Sequence, residues 1–145
     1  MRRELRSALK SSLQRLLQPL LFRQRNFTWN RVSGDFVDVI DVQWSSLDTQ
    51  DDYCFTVNVG VVWRHAFETT WQHTLPSFVD EAECTVRARL GQLIAGKDSW
   101  WHSSSMSDEL MVADALSKLE AFFLILCACT HFKPWRRSLA GVSGT

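Results

Sequence analysis

The spacing of apolar side chains changes once near residue 21, from the period of a helix to that of a strand. In ELRSALKSSLQRLLQPLL, residues 4–21, Leu5, Leu9, Leu13, Leu16, Leu17 and Leu20 recur at helical spacing. They form one apolar stripe beside a basic and polar face. Pro19 sits late in this stripe and is expected to kink or end the helix. From residue 27 the pattern alternates. FTWNR sets Phe27, Trp29 and Arg31 against Thr28 and Asn30, VSGD supplies a turn with Gly34 as its permissive residue, and FVDVIDVQW (36–44) follows. This reads as a β-hairpin. After the polar loop SSLDTQDD comes YCFTVNVGVVW (53–63), with Phe55, Val57, Val59 and Val61 on one face and Thr56, Asn58, Gly60 and Val62 on the other. The second face is semi-polar, which suits an antiparallel sheet covered by helices on one side only.

Residues 64–82 show no clear period and read as a long connection. CTVRARLG (84–91) alternates again, with Cys84, Val86, Ala88 and Leu90 inward and Thr85, Arg87 and Arg89 outward. It predicts a fourth strand, although ARLGQLIAG also fits a helical turn. DELMVADALSKLEAFFLILCAC predicts a long helix, with Ser107 as N-cap and Asp108 and Glu109 in its first turn. Its second half is apolar nearly all round and should lie deep against the sheet. The expected fold is α+β: a single antiparallel sheet of about four strands, with the N-terminal helix and the long C-terminal helix packed on one face. The domain should span residues 1–133, with 134–145 a mobile tail.

A chain of 145 residues that is 46% hydrophobic and 22% charged suits one globular domain. Seven tryptophans and nine phenylalanines supply large rings for the core or for a contact surface. Formal net charge is zero but unevenly distributed. Residues 1–31 hold eight Arg or Lys against Glu4 alone, and residues 32–83 hold ten Asp or Glu against Arg64. The basic helix can attract phosphate or acidic lipid, or lie near the acidic middle of its own chain; the second reading is preferred, because no basic–aromatic interleaving supports nucleic-acid binding. The N-terminal residues lack the apolar stretch of a signal peptide. AFFLILCAC, the most apolar run, is too short to span a bilayer, so no membrane contact is expected and the cytoplasm is the default. Cys54, Cys84, Cys127 and Cys129 show no metal-ligand spacing and are expected as buried free thiols.

The motif order resembles an uncharacterised, mainly bacterial family, domain of unknown function 4304. The segments that carry the resemblance are LQPLLFRQRNFTWNR, with Leu21 where the family usually shows glycine, then VIDVQWSS, FTVNVG (55–60) and CTVRARLGQLIAGKDSWW. The resemblance covers roughly residues 5–125, most of the chain. The resemblance implies no established chemistry; some relatives look to lie near bacterial toxin systems, which points to an immunity-type role.

Arg87 and Arg89 lie two apart and share a strand face. They can clamp a phosphate or carboxylate, or pair with Asp38 or Asp41 of a neighbouring strand. Gln43 and Asn58 have no core role, and beside Arg87 they would make a polar patch able to read a small ligand or a peptide. In extended chain the rings of Trp100 and Trp101 point to opposite sides: one fills the core, the other stacks on Arg87 or Arg89 or walls a ligand pocket. Asp98 can cap the GKDS turn. His65, His73, His102 and His131 are scattered without a zinc motif, and Ser103–Ser105 beside His102 lack an oriented base. Asp51 and Asp52 sit in a loop without the apolar burial that raises a catalytic acid's pKa. The expected function is therefore a small binding protein, without cofactor, that engages another protein as an immunity-type inhibitor. The alternative is a small-molecule or anion binder, or an enzyme, that uses the polar sheet face.

Overall fold

The computed structural model describes residues 2–49 and 52–128. Helix α1 (Arg2–Leu17) buries Leu5, Leu9, Leu13 and Leu17, a strict four-residue repeat. Each fully buried leucine contributes about 1.5–3 kcal/mol of transfer free energy. Pro19 stands in a 3-10 turn, Gln18–Leu20, so the α-helix stops before it. Leu21 then adopts φ +70°, a left-handed cap conformation that glycine, lacking a Cβ, would take at less cost.

The chain next builds an antiparallel sheet of β1 (Arg23–Arg25), β2 (Thr28–Ser33), β3 (Phe36–Trp44), β4 (Cys54–Trp63), β5 (Val86–Arg89) and β6 (Trp101–His102). The order is β1-β2-β3-β4-β5, with β6 also paired to β4. Gly34 turns β2 into β3 at φ +59°. Helices α2 (Arg64–Trp71), α3 (Leu90–Ala95) and α4 (Asp108–Ala128) complete the fold. Ser107 caps α4, its Oγ accepting the Leu110 N–H at 3.3 Å.

The α+β architecture agrees with expectation, and the two additional strands, β1 and β6, are only three and two residues long. The front face packs Trp29, Ile40, Val42, Phe55, Val57 and Val59 against α1 and α4. The back face differs from the expected open surface. Residues 64–82 are not a structureless connection: α2 and the segment after it lay Phe67, Leu75 and Val79 over Val37, Val39 and Val62. Asn30 pins this segment, its amide donating to the Val79 carbonyl at 2.9 Å and accepting the Val79 N–H at 2.7 Å. The fourth predicted strand is shorter than expected: Leu90 begins α3, and Val86 is 65% exposed rather than inward.

Cys84 approaches Gly60, where an added Cβ would lie 2.6 Å from its Sγ. Cys54 and Cys84 are free, and only partly buried rather than fully so. Burial pushes the Cys84 thiol up to about 12. The side chains of Cys127 and Cys129, and the 134–145 tail, lie outside what the structure describes. Among the described residues, no helix is long and apolar enough to cross a membrane.

Candidate functional site

Strand register decides which side chains meet on the back face. Asp41 stands opposite Asn58, Asn58 opposite Arg89, and Thr28 opposite Asp41. One row therefore reads Thr28, Asp41, Asn58, Arg89 across four strands. The row on one side brings Gln43 beside Thr56, and the row on the other brings Gly60 beside Arg87. The α2 segment covers the Val37–Val62 end, Cys84 packs on Gly60 and Thr56 is buried, but other side chains of these rows stay at the surface. Asp41, Gln43, Asn58, Arg87 and Arg89 of these rows line a bay of about 410 Å³ together with Glu81 and Gln92.

The bay is internally bonded. Asn58 is 5% exposed. Its Nδ2 donates to Gln43 Oε1 at 3.1 Å and more weakly to Asp41 Oδ2 at 3.4 Å. Thr28 Oγ1 donates to Asp41 Oδ1 at 2.9 Å. Arg87 Nη1 meets both oxygens of Glu81 at 3.0 Å. Arg89 Nη1 meets Asp98 Oδ2 at 2.5 Å, and its guanidinium lies 5.1 Å from the Trp100 ring centroid. Gln92 turns back to accept the Arg89 N–H at 3.2 Å.

These contacts revise the pairings expected of the two arginines. Neither Asp38 nor Asp41 neutralises them; Glu81 and Asp98 do. Asp38 points to the front face, where Arg31 holds its Oδ2 through two N–H groups at 3.1 and 3.0 Å. Asp98 spends its carboxylate on Arg89 instead of the GKDS turn. The tryptophans divide as extended chain requires. Trp101 is buried on the front face, stacked on Phe55 at 5.2 Å, and donates to Asp114 at 2.8 Å. Trp100 stays half-buried against Arg89. Four of the predicted residues (Arg87, Arg89, Gln43 and Asn58) thus share one bay, Asp98 and Trp100 flank it, and Trp101 lies apart.

Asp41, Glu81 and Gln92 were not among the predicted site residues. Asp41 is recoverable by counting β3 against β4, whereas Glu81 and Gln92 come from a 3-10 turn and a helix that alternation does not reveal.

The His102 region is a separate cluster. His102 Nδ1 lies 3.3 Å from Asp52 Oδ2, and Ser103 Oγ lies 3.4 Å from Asp52 Oδ1 while accepting the Tyr53 N–H at 3.0 Å. The serine thus bonds the carboxylate and not the imidazole, which is not the order that activates a nucleophile. Burial works to raise the Asp52 carboxyl, but hydrogen bonds from His102 and Ser104 outweigh it and hold the group below its ordinary value. Among the described residues, no group of three or more His, Cys, Asp or Glu side chains is placed to hold a metal ion. The basic helix also finds part of its own acidic segment, with Arg2 2.6 Å from Asp48.

No curated protein and no solved structure matches the chain. A family model does match, over residues 13–121, most of the length and every segment that builds the bay. The chain belongs to the family described as domain of unknown function 4304.

Proposed function

We propose that this domain is a non-enzymatic binding module for another protein, of the immunity-inhibitor type, and that the back-face bay is the surface it offers. The observation that carries this reading is the bay itself: an open part of a sheet face where five polar or charged side chains from strands meet Glu81 of a 3-10 turn and Gln92 of α3. Carboxamides, carboxylates and guanidiniums in one open depression suit the hydrogen-bonding groups of a protein surface, and polar interfaces of this kind are commonly wet. The serine–carboxylate–imidazole arrangement around Asp52 supplies no activated nucleophile in support of catalysis.

The test is affinity capture from the native host with the full chain, beside the double variant Gln43→Ala/Gln92→Ala. A partner held by the wild type and lost from the variant, with unchanged thermal stability, supports the reading. Equal capture by both ends it.

One observation favours a second reading, a small-anion site. Arg87 and Arg89 each engage their carboxylate through Nη1, and a guanidinium carries five N–H donors. Phosphate would then quench or enhance Trp100 fluorescence, and Arg89→Gln would abolish the response.

A further inference from the structure

Charge within the bay is unevenly satisfied, and the imbalance names a class of ligand. Both guanidiniums are already paired, Arg87 with Glu81 and Arg89 with Asp98. Asp41 is the remaining carboxylate in the lining, and among the described residues it meets no cation. Its contacts are neutral donors, the Thr28 hydroxyl on Oδ1 and the Asn58 amide on Oδ2. A carboxylate offers about four lone-pair directions, so Asp41, which lines the cavity, keeps about two further acceptor sites.

Geometry explains why the protein's own arginines leave it. Asp41 and Arg89 lie two strands apart in one row, about 10 Å between Cα atoms at ordinary strand spacing. Arg89 turns the other way, over Trp100 to Asp98. Asn58, between them, is buried and donates to Gln43 and more weakly to Asp41, while the Thr28 hydroxyl holds the other Asp41 oxygen at 2.9 Å.

We propose that Asp41, framed by Gln43 and Asn58, is a seat for a cationic side chain, the guanidinium of arginine or the ammonium of lysine, presented by the protein partner. This rests on the bay being the docking surface. An incoming cation completes a charge-assisted hydrogen bond that no described group of the chain makes. An incoming anion would instead have to compete with Glu81 or Asp98 for its arginine, while facing Asp41.

The test uses the full-length protein and small probes, followed by ¹H–¹⁵N shifts of the Gln43 and Asn58 side-chain amides. N-acetyl-arginine methylamide or its lysine counterpart should shift both amides along a saturable curve. The citrulline counterpart, which keeps the shape and loses the charge, should bind about tenfold or more weakly. Asp41→Asn should abolish the arginine response. Gln43→Lys, on the same face of β3, should do so as well by seating a tethered ammonium, and it decides the matter should Asp41→Asn fail to fold. Citrulline binding as tightly as arginine, arginine binding undiminished in the folded variants, or a response to inorganic phosphate and not to arginine would each overturn the proposal. Partner capture lost from Gln43→Ala/Gln92→Ala, with no response to either cationic probe, would sink the cation seat and leave the docking surface standing. Capture unaffected by that variant would sink the docking surface itself.

Discussion

The sheet has two uncovered half-faces, and they are chemical opposites. On the back, beyond the α2 segment, lies the polar bay around Asp41, Asn58, Arg87 and Arg89. On the front, at the edge of the helical layer, lies an apolar groove of about 230 Å³ lined by Val59, Val61 and Val86 of the sheet, Leu93 of α3 and Phe122 of α4, with Asp38 at its edge. Phe36 and Trp63 stack beside it at 6.4 Å. Each half-face holds an arginine–carboxylate pair, yet the settings differ. Arg31 and Asp38 have side chains only 5% and 13% exposed, whereas Arg87 is 54% exposed. The same ionic chemistry therefore carries structural weight on the front and little on the back.

That contrast can be broken most directly by removing one arginine from each side. Arg31→Ala strands a carboxylate in an apolar setting and should cost about 3–5 kcal/mol. Arg87→Ala should cost no more than about 1 kcal/mol, because its pair is solvated. Urea denaturation of the two variants measures both, and equal losses would erase the distinction.

A smaller effect tests the border between the covered and open halves of the back face. Gly60→Ala drives a methyl into Cys84 Sγ and within 3.1 Å of the Val86 carbonyl. It should destabilise by about 1–3 kcal/mol, partly relieved in Gly60→Ala/Cys84→Ala. Full additivity of the two substitutions would place the border elsewhere.

The pH dependence separates the front pair from an acid nearer the surface. Burial raises the Asp38 carboxyl above its ordinary value in spite of the opposing attraction of Arg31. The folded state then binds that proton more tightly than the unfolded state, so this group's contribution falls as pH rises from the unfolded value through the folded one. Asp114 has the opposite sign. Burial raises it, but hydrogen bonds from Lys118 and Trp101 prevail and lower it, so its contribution is lost as pH falls through its folded value. Carboxyl NMR titration should find Asp38 above and Asp114 below the usual Asp midpoint; the reverse order would refute the assignment. The smallest change is Val86→Thr, which should leave stability within about 0.5 kcal/mol while reducing hydrophobic-dye binding at the front groove.

Much of this architecture is legible from periodicity, and the exceptions have physical reasons. The leucine repeat and the alternation of β3 and β4 place α1 and the central strands because each element buries one face. Helix α2 escapes that test: Phe67 is the one buried residue in its eight, and no side chain caps its N-terminus. Strands β1 and β6 are too short to show a period. Arg87 and Arg89 share a face by spacing alone, but their partners arrive from a 3-10 turn and a loop, so no local pattern could pair them. Leu21 shows the reverse. Its left-handed φ is unfavourable for a leucine, yet Pro19 and the packing of Phe22 in the core hold the turn regardless.

The close fit of Cys84 over Gly60 also supplies a clock. With its thiol pushed up to about 12 by burial, Cys84 should resist alkylation at neutral pH while the α2 segment stays down. Its modification rate, followed by peptide mass spectrometry, would then time the lifting of that segment from the sheet. Where the lifting is local, the rate will be insensitive to substitutions such as Arg31→Ala that weaken the whole domain.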